Sequence, residues 1–426
     1  MSDRIYRDAV HNIIRIRMDN DEGRLLARLV DTAEFQRLRR VRQLGLGYVA
    51  YHTAEHSRFT HSLGACHLTT RILAKLAADY AIADDDRIAV RVAALLHDVG
   101  HGAFSHVVEG ILNFHHEDFT VAAVTSVETE IGRVLNEFSP DLAGKVADII
   151  RGTFRPMALA QLVSSQLDAD RMDYLLRDSL MTGVKYGVYD LEWIIRSIEI
   201  NEAADQLYIS ARGLNAVEDY LQARYYMFKQ VYFHRTLRSA ETVLRSLLGR
   251  ALELFAAGQP VWHVPGSAFE KILMGEKLSL AEHLSIDDAD VLFYIKRWQQ
   301  SSDAILSDLS KRFLNRRLFK AFDLDMPKSE RDGFVDRSRN IVEAAGFDPK
   351  YYFFEDKAGD VPHYFYTTDA AKPKDMIYVE DGFSKPKIRE ISEVSAAVRG
   401  LQTEYRIHRI CFPGEVKAEI ARFYRA

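Results

Sequence analysis

No proline occurs before Pro140, and apolar residues recur at helical intervals throughout that long stretch of the chain. In residues 22–43, leucine, phenylalanine and valine stand three or four positions apart, which is the spacing of one helix face. Asp31 and Thr32 are expected to break this stretch into two helices, with a cap between them. Further helices are predicted over residues 62–80, 85–97, 117–136, 141–152 and 214–256. The chain is therefore expected to be mainly α-helical.

The pattern changes after about residue 327. Before it, strand patterns are confined to residues 12–18 and 206–210. After it, aromatic runs within residues 350–366 favour strands, because aromatic side chains pack well on a pleated surface. Strands are also predicted over residues 376–379 and 405–412, and a helix over residues 391–401. We expect a helical domain over residues 1–325 and a smaller α+β region over residues 326–426, which is a candidate assembly element.

The composition excludes several classes of protein. With 47% hydrophobic and 11% aromatic residues, the chain is not disordered. Its two cysteines are too few for a disulfide framework or a cysteine zinc cluster. A net charge of −5 gives no general attraction to nucleic acid or to an anionic membrane. No apolar run approaches the roughly 20 residues that span a bilayer, and the N-terminus is too polar for a signal peptide. We therefore expect a cytoplasmic protein without membrane contacts.

The most informative segment is residues 93–106, which read AALLHDVGHGAFSH. His97 and Asp98 directly follow an apolar helix, so both side chains can reach one metal ion. An imidazole nitrogen together with a carboxylate oxygen suits iron, manganese or zinc. A lone His-Asp pair is usually a plain helix end, but histidines and acidic residues also cluster at residues 55–64 and 166–174. The three clusters together predict a catalytic metal site.

Four motifs carry a resemblance to a known family. They are RFTHSLG at residues 58–64, HDVGHGAFSH at 97–106, HE at 116–117 and DADRMDYLLRD at 168–178. In this order they resemble the HD superfamily of metal-dependent phosphohydrolases, and within it the sterile-α-motif/HD-domain dNTP triphosphohydrolases and their bacterial relatives. Residues 31–45 and 224–234 also match, so the resemblance covers roughly residues 1–325. It implies a helical HD-domain bundle as the core, with a smaller C-terminal α+β region and no sterile-α-motif domain in front.

The resemblance implies a metal-dependent deoxynucleoside triphosphate triphosphohydrolase. In that reaction a metal-activated water attacks the α-phosphorus, and the products are a deoxynucleoside and inorganic triphosphate. The implied metal ligands are His61, His97, Asp98 and Asp170. Manganese, iron or zinc would occupy this site, and magnesium would accompany the substrate triphosphate. Asp168 is expected to orient the loop instead of binding the metal.

The resemblance also implies a group that transfers a proton to the leaving 5′ oxygen. His106 is the expected general acid, because histidine titrates near neutral pH. His116 and Glu117 match the family pair that supports this transfer, and Glu109 is a candidate member of the same relay. His101 is expected to contact phosphate or a bridging water. The alternative for each of these residues is a surface or helix-capping role.

A triphosphate requires converging cations, and a sugar requires a shaped wall. The implied substrate-binding residues are Gln43, Arg58, Arg171, Tyr174, Asp178, Arg224 and Tyr232. The three arginines match phosphate-binding positions of the family. Gln43, Tyr174 and Asp178 match the ribose end, where a tight wall would exclude a 2′-hydroxyl. Tyr232 either packs on the sugar or base or is part of the core. The base preference, for dGTP or another dNTP, stays open.

A regulatory site is a further implication of the resemblance. Asp31, Gln36 and Arg39 coincide with family positions that read an activating guanine nucleotide, so GTP or a dNTP is a candidate activator. The alternative is that these residues are the polar face of an amphipathic helix. The family also implies a homo-oligomer, either a dimer or a tetramer.

Two other functions stay open at this point. One is an HD phosphodiesterase or phosphatase that acts on another nucleotide or on single-stranded nucleic acid, held by the basic runs at residues 37–42 and 312–317. The acidic total charge speaks against nucleic acid. The other is a nucleotide-binding regulator without turnover, which the complete set of candidate metal ligands argues against.

Overall fold

The computed structural model describes residues 3–104, 106–112, 114–358, 376–382, 387–401 and 407–424, and helices dominate them. The helices are α1 (Asp21–Asp31), α2 (Ala33–Arg37), α3 (Arg58–Leu76), α4 (Asp84–Leu96), α5 (His106–Leu112), α6 (His116–Thr125), α7 (Glu130–Phe138), α8 (Leu142–Arg151), α9 (Met157–Ala160), α10 (Ala169–Thr182), α11 (Leu191–Ser197), α12 (Leu214–Met227), α13 (Arg235–Ala256), α14 (Ala268–Met274), α15 (Leu280–Ser285), α16 (Asp288–Trp298), α17 (Ala304–Leu314), α18 (Lys328–Ala344), α19 (Pro349–Tyr352), α20 (Ile391–Val394), α21 (Ala396–Gly400) and α22 (Lys417–Tyr424). The strands are β1 (Arg4–Asp8), β2 (Asn12–Ile16), β3 (Ile198–Asn201), β4 (Gln206–Ile209), β5 (Lys320–Asp323), β6 (Phe354–Ala358), β7 (Tyr378–Asp381), β8 (Lys387–Glu390) and β9 (Ile407–Phe412). The prediction of a mainly α-helical chain with a C-terminal α+β region is confirmed.

The break predicted at Asp31 and Thr32 is present, but the expected side-chain cap is not. The backbone of Thr32 is extended, which ends α1 and allows α2 to begin at the next residue. The Thr32 hydroxyl donates a hydrogen bond back to the carbonyl of Leu29 at 2.7 Å, so it does not cap α2.

Two of the predicted helices are each divided in two. Residues 117–136 form α6 and α7, because the side chain of Thr129 accepts an amide proton from the first turn of α7. Residues 214–256 form α12 and α13, which are separated by a π-helical turn at Phe228–Tyr232 and by His234, whose side chain caps α13. The helical periodicity of the sequence continues through both breaks and therefore did not reveal them.

The aromatic segment at residues 350–366 is only partly a strand. Asp348 caps α19 and Pro349 opens it, so the tyrosines at 351 and 352 are helical, and β6 begins only at residue 354. Residues 359–366 lie outside the described residues, as do residues 402–406 at the start of the predicted last strand. The predicted helix over residues 391–401 is interrupted at Ser395, which caps α21.

Two clusters of buried apolar side chains organise the fold. The first lies among helices of the N-terminal half, where α3 packs against α4 and α10, and α4 packs against α8. The second surrounds α13 and includes side chains from α14, α16, α17, β5 and β9. The first cluster brings the start of α3, the end of α4 and the start of α10 side by side. These three places carry the candidate metal ligands.

The strands form three small sheets. β1 and β2 are an antiparallel hairpin, β3-β4-β7-β8 is a four-stranded sheet, and β5-β9-β6 is a three-stranded sheet. Among the strands that the structure describes, only β4 and β7 pair in parallel. The division predicted at residue 325 stays a prediction, but β4 with β7 and β5 with β9 pair across it. None of the described helices combines the length and the apolar composition that crossing a bilayer requires.

Candidate metal centre and substrate cavity

The four candidate metal ligands come from three neighbouring elements. His61 lies in the first turns of α3, and His97 and Asp98 follow the last turn of α4. Asp170 lies in the first turn of α10, which begins there because the Asp168 carboxylate accepts the backbone N–H of residue 171 at 2.8 Å. Asp168 therefore orients the start of α10 and leaves Asp170 facing the histidines.

The donor atoms of His61, His97 and Asp170 lie close enough together to hold one divalent cation, and Asp98 lies beside His97. The Nε2 atom of His61 lies 3.0 Å from Oδ1 of Asp170 and 3.3 Å from Nε2 of His97. Nε2 of His97 lies 3.5 Å from Oδ1 of Asp170 and 3.5 Å from Oδ1 of Asp98. Nitrogen and oxygen ligands at about 2.0–2.2 Å from a common ion stand roughly 3 to 3.5 Å from one another. The group also has the mixed imidazole and carboxylate chemistry that suits zinc, iron or manganese.

The second nitrogen of each histidine is held by another group. Nδ1–H of His61 donates to Oδ2 of Asp173 at 2.8 Å, and Nδ1–H of His97 donates to the carbonyl of Ala94 at 2.9 Å. Both rings therefore present Nε2 to the metal position. The outer oxygen of Asp98 accepts from Nη1 of Arg58 at 2.6 Å. Sequence reasoning gave Asp173 no role, although it lies within the motif at residues 168–178.

The ionisation of the site shows how strongly these groups interact. Burial opposes charge on His61, but the hydrogen bonds that its ring donates to Asp170 and Asp173 outweigh burial and raise the pKa of His61 to about 10. Burial likewise opposes charge on Asp170, yet His61 and His97 hold the pKa of that carboxyl well below its usual range. A cation that binds here replaces the proton on Nε2 of His61, because a metal ligand must be deprotonated.

A cavity of about 480 Å³ opens beside these groups. Its lining residues are Gln43, Leu44, Gly45, Leu46, Arg58, His97, Asp98, His101, Phe104, Val107, His116, Glu117, Ile150, Val163, Ser164, Asp170, Arg171, Tyr174, Asp178, Phe228, Tyr232, Leu237 and Glu241. Most of the residues predicted for substrate binding and proton transfer thus share one cavity. His61 and Arg224 do not line it and are buried.

Two of the residues predicted for proton transfer, His116 and Glu109, form one contact chain with His101. The rings of His101 and His116 stack with their centroids 3.7 Å apart, and Nδ1 of His116 lies 3.1 Å from Oε1 of Glu109. Nε2 of His101 lies 3.3 Å from Oδ1 of Asp98, so the chain reaches a candidate metal ligand. Burial and the charge of Arg58 lower the pKa of His101 well below its usual value. Glu117 is exposed at the cavity, and the side chain of His106 lies outside the described residues.

A second part of the cavity contains Asp178 and the rings of Tyr174 and Tyr232. Oδ1 of Asp178 pairs with Nε2 of His56 at 2.7 Å, and Oδ2 accepts from the hydroxyl of Tyr232 at 2.9 Å. The rings of Tyr174 and Tyr232 meet edge to face at 6.3 Å. Asp178 is therefore held at both oxygens, and Tyr174 and Tyr232 form one wall beside it. His56 is 122 residues from Asp178 along the chain, and no sequence pattern indicates their contact.

The other two predicted phosphate-binding arginines contact neighbouring polar groups. Nη1 of Arg171 lies 2.5 Å from Oδ2 of Asp168, and Nη1 of Arg224 lies 2.5 Å from Oε1 of Gln166. Although burial opposes its charge, the Asp168 carboxylate raises the pKa of Arg171 further above its usual value. Both guanidinium groups are thereby held in place beside the start of α10.

The predicted regulatory residues lie outside the cavity. Asp31 pairs with Arg4 of the N-terminal hairpin at 2.8 Å. Gln36 accepts a hydrogen bond from Nε of Arg39 at 2.8 Å, and the Arg39 guanidinium lies 3.5 Å from the centroid of the Phe59 ring. These contacts fit the polar face of an amphipathic helix, and the regulatory role stays a prediction.

Two buried residues support the turn after His97, and they are Arg37, which was predicted as part of an accessible basic run, and His283, for which no role was predicted. The fully buried Arg37 donates to the carbonyls of His101 and Ile286, both at 2.9 Å. Nε2–H of His283 donates to the carbonyl of Gly100 at 2.7 Å, and its ring stacks on Phe119 at 3.7 Å. The turn that carries the metal ligands is thus pinned by residues from distant parts of the chain.

His283 predicts a pH dependence of stability. Burial lowers its pKa from 6.5 to about 4, so the folded protein keeps the ring neutral where the unfolded chain takes up a proton. The contribution of His283 is complete above about pH 6.5 and is lost as the pH falls toward 4. Between about pH 7.5 and pH 5, wild type should lose roughly 2 kcal/mol more unfolding free energy than His283→Gln, which keeps the donor but does not titrate.

Urea denaturation of both proteins at the two pH values measures this difference. His52→Gln, at an exposed histidine, is the control and should follow wild type. Parallel pH dependences of wild type and His283→Gln would show that the buried ring does not contribute.

Comparisons with known proteins identify the family of this chain. The profile of the HD domain matches residues 58–178, and that of the HD associated region matches residues 189–259. The uncharacterized protein YwfO of Bacillus subtilis is 38% identical over 97% of this chain and 93% of its own length. The Dictyostelium discoideum homolog of the deoxynucleoside triphosphate triphosphohydrolase SAMHD1 is 28% identical over 57% of this chain and 48% of its own length. The crystal structure of a phosphohydrolase from Bacteroides thetaiotaomicron superposes with a TM-score of 0.82 at 30% identity, covering 96% of this chain and all of that one.

Proposed function

Since the chain belongs to the HD-domain family of phosphohydrolases, we propose that it is a deoxynucleoside triphosphate triphosphohydrolase. The reaction converts a dNTP and water to a deoxynucleoside and inorganic triphosphate. One observation carries the proposal, which is the composition of the cavity. One part of the cavity contains candidate metal ligands together with Arg58 and Arg171. Another part contains the Asp178–Tyr232 pair. This arrangement is complementary to a polyphosphate joined to a sugar. The similarity to SAMHD1 relatives supports the same substrate class.

The phosphate part of the cavity has groups for a cation and for anionic oxygens. His61, His97, Asp98 and Asp170 would hold a divalent cation. That cation supplies a Lewis acid for the phosphoryl group and lowers the pKa of a bound water. Arg58 and other guanidinium groups nearby bind and orient the phosphate oxygens, because a fork of N–H donors matches phosphate geometry.

The sugar part of the cavity orients the deoxyribose. Asp178 is fixed by His56 and Tyr232, so a 3′-hydroxyl has a carboxylate acceptor in a defined position. The edge-to-face pair of Tyr174 and Tyr232 forms a rigid wall at this end. This wall is the proposed basis for excluding a 2′-hydroxyl, which would distinguish dNTPs from NTPs.

Proton transfer to the leaving 5′ oxygen is assigned to the histidines beside the cation site. His106 is the proposed general acid. Glu109 holds His116 in the orientation that stacks it on His101, so these residues keep a proton path near the departing oxygen. Activation by GTP or a dNTP at Asp31, Gln36 and Arg39, and assembly into a dimer or tetramer, belong to the same proposal.

The test is a product analysis of the purified full-length chain. Each of the four dNTPs and the matching NTPs is incubated with Mn²⁺ or Mg²⁺, with and without GTP, and the products are separated by ion-exchange chromatography. The expected products are inorganic triphosphate and deoxynucleoside, with little turnover of NTPs. An Asp170→Asn variant controls for contaminating phosphatases.

The alternatives predict different products from the same assay. Nucleoside monophosphate or diphosphate products would replace the proposal with an HD phosphodiesterase or phosphatase. The absence of any product under all metal and GTP conditions would favour a nucleotide-binding regulator.

A further inference from the structure

The metal ligand His61 is connected to the N-terminal hairpin through one buried carboxylate. Asp173 is fully buried in α10, and its Oδ2 accepts the Nδ1–H of His61 at 2.8 Å. Its Oδ1 pairs with Nε2 of His11 at 2.7 Å. His11 lies in the turn between β1 and β2, so the hairpin reaches the outer side of the metal site.

A second path from the hairpin reaches the same carboxylate. Arg177 donates to Asp173 from Nε at 2.8 Å and from Nη2 at 2.9 Å. The same guanidinium pairs with the two oxygens of Asp8 at 2.8 and 3.2 Å. Asp8 also accepts the backbone N–H groups of Val10 and His11, both at 2.9 Å, and so fixes the turn. Burial opposes charge on Asp173, but Arg177 and the two histidines hold its pKa well below the usual range.

The sequence of α3 is adapted to this contact. A Cβ added to Gly64 would lie 1.9 Å from Oδ1 of Asp173, so only glycine allows the carboxylate to approach the helix. Gly64 stands one turn after His61 on α3. The close approach therefore occurs where the metal ligand projects.

We propose that His11 and Asp8 are positioning residues of the metal centre. They hold Asp173 in the rotamer that fixes His61 as the tautomer with a free Nε2, which is the atom that faces the cation. A buried carboxylate that loses one of its donors turns toward the others or draws in water, and the imidazole loses its fixed orientation. Outer partners of metal-bound histidines typically change metal affinity by about 10- to 100-fold. This inference goes beyond the proposed function and holds for any substrate of the centre.

If the hairpin has a purely structural role, loosening it at any point should weaken metal binding equally. The hairpin is also attached to α1, where Arg4 pairs with Asp31 and donates to the carbonyl of Ala27 at 2.8 Å. Among the described residues, the side-chain hydrogen bonds of Arg4 go to Ala27 and Asp31 and not to the Asp173 network. Loosening this attachment therefore disturbs the hairpin and leaves the path to His61 intact, which supplies a matched control.

The experiment measures the dissociation constant of Mn²⁺ from the full chain by competition with a chelator, together with the melting temperature of the metal-free protein. We expect His11→Phe and Asp8→Asn to weaken Mn²⁺ binding by about 10- to 100-fold. His11→Gln, whose amide N–H can replace Nε2–H, should remain within about threefold of wild type. Arg4→Gln should leave the affinity unchanged, even if it lowers the melting temperature.

Two results would overturn the inference. One is wild-type Mn²⁺ affinity in both His11→Phe and Asp8→Asn. The other is an equal loss of affinity in Arg4→Gln, which would assign the effect to general loosening of the hairpin. If His11→Phe does not fold, the comparison of Asp8→Asn with Arg4→Gln decides the question by the same two criteria.

Discussion

Replacing His97 with alanine is expected to remove metal binding and to abolish most of the hydrolytic activity. Nε2 of His97 stands 3.3 to 3.5 Å from donor atoms of His61, Asp98 and Asp170, so its loss opens one side of the site. The remaining ligands would bind a divalent cation weakly. A catalytic metal contributes several kcal/mol of transition-state stabilisation, and losing it corresponds to a rate decrease of about 10³-fold or more.

Metal content and turnover should be measured on the same protein preparation. Atomic absorption gives the metal-to-protein ratio, and release of products from the dNTPs gives the rate. His52→Ala is the matched control, because this exposed histidine lies outside the cavity. Asp170→Asn removes the charge of a second candidate ligand without changing its size. It should also lower the metal content and the activity. Wild-type metal content with wild-type activity in His97→Ala would contradict the assignment of the site.

The parts of the fold that follow local rules could be predicted from the sequence. The amphipathic spacing of residues 22–43 and the apolar residues before His97 identify helices, because one helix face is buried in each case. The π-helical turn at Phe228–Tyr232 was not predicted, because it does not follow from local spacing. Apolar spacing continues through it, and the break depends on the cap at His234 and on tertiary packing.

In the candidate site, too, local contacts could be predicted from the sequence and distant contacts could not. His97 and Asp98 are adjacent in sequence and in space, so a short motif contains the geometry that brings them to one metal. The groups behind them come from far along the chain. His11 is 162 residues from Asp173, and His283 is 183 residues from the Gly100 carbonyl that it supports. A single sequence shows no pattern for such contacts, because they depend on how the hairpin and α15 pack against the helical core.

His116→Ala is expected to lower kcat by about 10²-fold or more while leaving metal affinity unchanged. The imidazole of His116 lines the cavity and stacks on His101, and it is not one of the four candidate metal ligands. Its Nδ1 and its backbone N–H both lie 3.1 Å from Oε1 of Glu109. Its removal therefore breaks the proposed proton path without opening the metal site.

The adjacent His115→Ala is the control, since His115 is exposed at the N-cap of α6 and should behave as wild type. Glu109→Gln keeps a hydrogen-bond acceptor for His116 but removes the negative charge, so it should cost less than His116→Ala. Steady-state kinetics on a dNTP across the pH range, with Mn²⁺ affinity measured in parallel, separates the possibilities. A proton-transfer role predicts lower kcat, nearly unchanged KM and an altered pH profile of kcat. An equal loss of Mn²⁺ affinity and rate would instead place His116 among the groups that hold the cation, because only then would removing the ring release the metal.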